Sequence, residues 1–146
     1  MPSDCFLDTN ILIYAAAGRD ENPEKFEVAA RLVQNERFGL SGQVLAEFYV
    51  IARTKLAVPL SFEEACLWVD LLSAFPVASV DELLVRQGIS YADRFKVSYW
   101  DGAIIAAAER LQAPVLYTED LNHNQVYGSV RVINPFLIGA AAASET

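Results

Sequence analysis

Apolar runs of only three or four residues, set between longer stretches of helical spacing, constrain this chain more than any other feature. Cys5-Phe6-Leu7, Phe38-Gly39-Leu40, Val115-Leu116-Tyr117-Thr118 and Val130-Arg131-Val132-Ile133 read as short strands, and Pro76-Val77-Ala78 as another. After the first, a polar turn at Asp8-Thr9-Asn10 leads into a short helix from Ile11. Asn22-Pro23-Glu24 introduces helical spacing around Phe26–Val33, with proline in the first turn. Ser41 or Gly42 starts a helix to about Leu56, which stops before Pro59. Ser61-Phe62-Glu63-Glu64 is a capping box opening a helix to about Ala74, and Asp81 caps one toward Gly88 or beyond. Gly102–Gln112 is alanine-rich and strongly helical. Short strands alternating with longer helices imply a parallel sheet covered on both faces. The expected fold is therefore α/β: a three-layer α/β/α domain with a central parallel sheet.

The chain's 146 residues suit one domain over 1–146, and the sequence holds no repeat or linker. The small residues after Gly139, about 140–146, are expected to fray. A hydrophobic content of 53% excludes a disordered chain. The N-terminus has no secretory pattern, and no apolar run reaches the roughly 18–20 residues of a membrane span. A soluble, cytoplasmic protein without membrane contact is expected. Cys5 and Cys66 read as buried, reduced thiols, and His123 is the single histidine, so a zinc site has no ligands. The formal net charge of −8 argues against a broad basic groove for nucleic acid. It does not exclude a nuclease, because carboxylates neutralised by cations attract phosphate.

Open parallel sheets collect ligands beyond the carboxyl ends of their strands. Asp8 follows the first strand, Asp120 lies two residues past Thr118, and Asp101 stands at a helix N-terminus, where an anion is tolerated. Each has an ordinary reading too: Asp8 and Asp101 as turn or cap residues, Asp120 as a solvated loop acid. Only the combination favours a site. Glu47 says more. On the helix of Gly42–Leu56 it borders the apolar stripe of Val44, Leu45, Phe48, Ile51 and Ala52, half-sheltered rather than on an open face. Four carboxylates brought together would repel unless cations lay among them, and hard oxygen donors suit Mg²⁺ or Mn²⁺. Such ions activate water for attack on phosphorus. Thr9 and Asn10 are candidates to position that water or a phosphate oxygen.

These same segments resemble PIN-domain nucleases. Phe6-Leu7-Asp8-Thr9-Asn10-Ile11-Leu12 looks like their opening, Val44-Leu45-Ala46-Glu47-Phe48 their second acidic segment, and Tyr99-Trp100-Asp101-Gly102 through Ala108 their third. Leu116-Tyr117-Thr118-Glu119-Asp120-Leu121-Asn122-His123, with Val132-Ile133-Asn134-Pro135-Phe136, resembles the close of VapC-type toxins. The resemblance implies a catalytic and metal-binding quartet of Asp8, Glu47, Asp101 and Asp120 in a Mg²⁺-dependent endoribonuclease. It also implies a homodimer, a small cognate antitoxin as partner, and RNA as substrate. Relatives often carry glycine after the histidine of the closing loop. Here Asn124 stands there, a residue that also tolerates left-handed backbone.

Glu119 is a candidate fifth ligand, against the reading of a solvated acid, and His123 reads as a surface-loop residue. Arg19, Arg53, Lys55, Arg94 and Lys96 are candidate RNA contacts, each also readable as a solvated cation. Tyr14, Tyr99 and Trp100 read as core aromatics rather than base-stacking ones, Trp100 above all. Two other functions fit less of the sequence. One is phosphoryl transfer through an aspartyl phosphate at Asp8, for which Asn10 stands where a second acid is wanted. The other is an RNA-binding or assembly module that holds metal without turnover.

Overall fold

Among the described residues, six strands form one sheet at the centre of the molecule, and five of them run parallel. The computed structural model describes residues 2–137. β1 (Cys5–Leu7) lies between β2 (Phe38–Ser41) and β4 (Val115–Tyr117), with Phe6 opposite both Gly39 and Leu116. β3 (Val77–Ala78) extends the sheet beside β2, and β6 (Val130–Ile133) extends it beside β4. The sheet thus grows from β1 in one direction through β2 and β3, then restarts on β1's other side with β4. That reversal opens a crevice at the carboxyl ends of β1 and β4.

Helices flank the sheet: α1 (Thr9–Ala17) packs on α2 (Pro23–Asn35) and α3 (Gly42–Thr54), α3 on α4 (Phe62–Leu72), and α5 (Glu82–Phe95) on α6 (Tyr99–Arg110). Their starts follow from local chemistry. Ser41, Asp81 and Ser98 accept from the free N–H groups of their first turns, and Ser61 closes a reciprocal capping box with Glu64. α6 is buried from Gly102 to Ala108, which explains its small side chains. A Cβ on Gly102 would stand 2.5 Å from the Gly88 carbonyl oxygen of α5, so the two helices meet backbone to backbone.

Several expectations need correction. Asp8-Thr9-Asn10 is not a turn: Asp8 caps α1, and Thr9 already belongs to it. Ser98, not Asp101, caps α6, and Asp101 sits in its first turn. α3 and α4 end two residues earlier than expected. Cys5 is buried, but Cys66 is only half-buried. A two-residue strand, β5 (Val126–Tyr127), was not anticipated. It returns antiparallel to β6 through Gly128, whose φ of 61° requires the freedom of glycine, so the sheet is mostly rather than wholly parallel. Asn124 adopts φ 67°, the left-handed conformation anticipated for it. The tail expected to fray, about 140–146, lies outside the described residues.

Candidate functional site

The chain's reversal at β1 and β4 sets the ends of two strands and the starts of two helices around one crevice. Asp8 leaves β1 and caps α1; its Oδ1 accepts the Thr9 amide at 2.7 Å, and its Oδ2 accepts the Thr118 hydroxyl at 2.7 Å. That hydroxyl also accepts the Asp120 amide at 3.1 Å. On the other side, the Thr9 hydroxyl donates to Glu47 Oε2 at 3.1 Å, and Gln43 donates to Glu47 Oε1 at 3.0 Å. One hydrogen-bonded chain therefore runs from Glu47 through Thr9, Asp8 and Thr118 to the backbone of Asp120. Asp101 completes the rim from the first turn of α6.

Electrostatics ties the four acids together. Burial pushes the Asp8 carboxyl up to about 6, partly offset by its hydrogen bonds with Thr118 and Thr9, with the charges of Asp120 and Glu47 adding to the rise. Asp101 is raised by burial and by Glu47, against the opposing Ser98 hydrogen bond. Asp120 is raised by burial and by Asp101, Glu119 and Glu47. Such mutual repulsion is what a bound cation relieves. Among the described residues, no three acidic, histidine or cysteine side chains stand close enough to enclose an ion. The rim is open. That suits Mg²⁺, which commonly keeps several waters and takes only one or two carboxylates from the protein. The donors are all hard oxygens, so the residues fit the ion in chemistry.

Other candidates have different fates. Both oxygens of Glu119 are engaged away from the acids, accepting from the Tyr14 hydroxyl at 2.7 Å and from Lys25 at 2.9 Å. Lys25 also faces the rings of Tyr14 and Phe136 at 5.0 and 5.1 Å. His123 Nδ1 accepts the Asn134 amide at 2.9 Å and pins the closing loop to the end of β6. No hydrogen bond of the Asn10 side chain exists among the described residues. Of the basic candidates, Arg53 donates to the Leu60 carbonyl, Arg19 and Arg94 lie over the Phe26 and Phe95 rings, and Lys96 pairs with Asp93. Lys55 shares a cavity with a rim acid, an opening of about 620 Å³ that Glu47 and Trp100 also line.

Trp100 is not a core residue. It is 61% exposed, because α6 turns Tyr99 toward Gly88 of α5 and leaves the next side chain outside. Thr118, 1% exposed, was not foreseen either. Its one sequence signal was a hydroxyl directly after a strand and two residues before an acid. Gln43, one helical turn before Glu47, escaped notice for want of any signal beyond that spacing.

Comparison with known proteins agrees with this architecture. The model of the PIN domain family matches residues 5–129. A toxin–antitoxin complex from Klebsiella pneumoniae superimposes with a TM-score of 0.67 at 19% identity, covering 90% of this chain and 97% of that one. VapC20 of Mycobacterium tuberculosis, described as a sarcin–ricin loop cleaving toxin, gives 0.63 at 19% over 80% and 89%. VapBC2 of Rickettsia felis, bound to a DNA fragment from its promoter, gives 0.57 at 18% over 88% and 96%. Identities this low establish likeness of fold alone. Comparison with curated protein sequences gives no match. The family match begins at β1, ends beyond β5 and takes in all four rim acids, and on that ground this chain belongs to the PIN-domain family.

Proposed function

We propose that the protein is a Mg²⁺-dependent endoribonuclease toxin, with Mn²⁺ able to replace Mg²⁺, that acts in the cytoplasm as a homodimer and is neutralised by a small antitoxin. The observation that carries this reading is the hydrogen-bonded chain from Glu47 to Asp120 through a buried Asp8, at the crevice where the strand order reverses. Of Asp8, Glu47, Asp101 and Asp120, one or two would hold the ion directly and the others through its waters. When bound, it supplies positive charge toward the phosphodiester and acidity to an attacking water. The protein's own part is orientation. Thr9 and Thr118 fix the carboxylates of Glu47 and Asp8, and two helix N-termini direct positive dipole ends at the crevice.

The toxin role draws on the toxin–antitoxin complexes among proteins of this fold. It also accords with apolar surface on α3 and α4, where Val50, Leu67 and Leu71 are each half or more exposed. No helix among the described residues is long and apolar enough to cross a membrane.

The test is cleavage of RNA by purified protein with Mg²⁺ or Mn²⁺, alongside Asp8→Asn and Asp101→Asn. Loss of more than roughly 100-fold is expected in both, exceeding the usual effect of disturbing residues behind a metal ligand. Equal activity in all three proteins would overturn the assignment.

A further inference from the structure

The cavity between α3 and the start of α6 holds groups that the acid rim leaves unexplained. Its α3 wall is a single stripe in which Gln43, Glu47, Val50, Ile51 and Lys55 follow one another at helical spacing. Glu47 and Lys55 are eight residues apart, about 12 Å along the axis. One end of the stripe is therefore a rim acid and the other a cation. Among the described residues Lys55 makes no salt bridge. Facing the stripe are Tyr99 and Trp100, their rings edge to face at 73°. Tyr99 is half-buried, while the indole of Trp100 lies open beside Asp101. Gln43 reaches both Glu47, at 3.0 Å, and the Trp100 carbonyl, at 3.5 Å, so one amide braces an acid of the rim and the start of the aromatic wall.

We propose that this cavity is a nucleotide subsite, in which Trp100 stacks a base of single-stranded RNA and Lys55 takes a phosphate further along the strand. The proposal rests on the ribonuclease reading above and adds the two residues that seat the strand. With a net charge of −8 the protein has little general attraction for RNA, so local contacts such as this flat ring and cation carry more of the strand's orientation. Stacking on an aromatic face accepts any base but requires one that is unpaired and splayed out. The subsite therefore selects loops and single strands rather than a particular sequence.

The test uses the full chain with Trp68→Phe, which leaves Trp100 as the only tryptophan. The probe is a single-stranded 2′-O-methyl phosphorothioate octamer, with its duplex as control. The single strand should quench Trp100 fluorescence and the duplex should not. Trp100→Ala should weaken octamer binding roughly ten-fold, within the range known for losing one base–aromatic stack, while Trp100→Phe retains most of it. Mn²⁺ affinity, measured by calorimetry, should be the same in all of these variants. Absence of quenching, or unchanged octamer affinity in Trp100→Ala, overturns the subsite. If Trp100→Ala instead dissociates a dimer in sedimentation while RNA affinity holds, the face belongs to a second copy and the proposal falls. Quenching by the octamer without cleavage of natural RNA would uphold the subsite and sink the ribonuclease reading instead.

Discussion

Replacing Gly102 with alanine should destabilise the protein even though alanine is the better helix former. In an open helix the exchange gains about 1 kcal/mol. Here the new Cβ would lie 2.5 Å from the Gly88 carbonyl oxygen, 2.9 Å from the Ala92 nitrogen and 3.3 Å from the Ala92 Cα, all backbone atoms of α5. None can rotate away, so the helices must separate by nearly an ångström. Overpacking of that kind costs about 1–3 kcal/mol and occasionally more. A net loss of about 1 kcal/mol is expected, or roughly 2–4 °C in melting temperature for a chain of this size. Gly88→Ala is the graded control: its Cβ would meet the Ala103 Cα and the Tyr99 ring at 3.0 Å, and the ring can yield. Its loss should be about half as large, and the double variant should lose less than the sum, since both residues occupy one gap. Thermal unfolding by circular dichroism measures all three. An unchanged or higher melting temperature for Gly102→Ala would refute the claim that backbone contact sets the spacing of α5 and α6.

Asp8 makes stability depend on pH when metal is removed. Its carboxyl is raised to about 6, so the folded chain binds that proton more tightly than the unfolded one. The resulting stabilisation is full below the unfolded value near 3.9 and is lost as pH rises through 6, a difference on the order of 3 kcal/mol. In EDTA, Asp8→Asn, which keeps a good cap, should therefore gain on the wild type between pH 4 and pH 7. Saturating Mg²⁺ should reverse the order at pH 7. Thr118→Val should lower stability by roughly 1.5–3 kcal/mol, as expected for a lost hydrogen bond to a charged group. It should also weaken Mn²⁺ binding about 10–100-fold, with Thr118→Ser restoring most of both in calorimetry. Burial pushes the Cys5 thiol up to about 12, so at pH 8 a thiol reagent should modify Cys66 quickly and Cys5 only after denaturant is added.

Much of this architecture was legible because short apolar runs and cap residues are local signals. Ser61 with Glu64, Asp81 before its helix, and the run Cys5–Leu7 each carry their meaning within a few residues. Asp8, Asp101, Asp120 and Glu47 could each be singled out by position on their elements, and the likeness to PIN domains joined them into one set. What failed to show was long-range pairing. Thr118 gains its place from Asp8, and Glu119 from Tyr14 and Lys25, partners 110, 105 and 94 residues away. Trp100 was misread because an aromatic pair at a helix start looks apolar as a unit. Which ring turns inward depends on how closely α5 approaches, and that is decided by Gly88 and Gly102. β5 escaped notice because two residues carry no period.

The pairing of β1 with β4 also orders events during synthesis. Asp8 is made early, yet its hydroxyl donor and its neighbouring strand arrive only with Thr118, 110 residues later. At ordinary rates of synthesis that interval is roughly 6–20 s. Throughout it the nascent chain carries Asp8, Glu47 and then Asp101 without the strand that draws them to one edge. A chain interrupted before β4 would lack the strand beside β1 and the Thr118 hydroxyl that Asp8 accepts, whatever acids it had already acquired. On the proposed ribonuclease reading, competence is deferred until the chain's own template has been read.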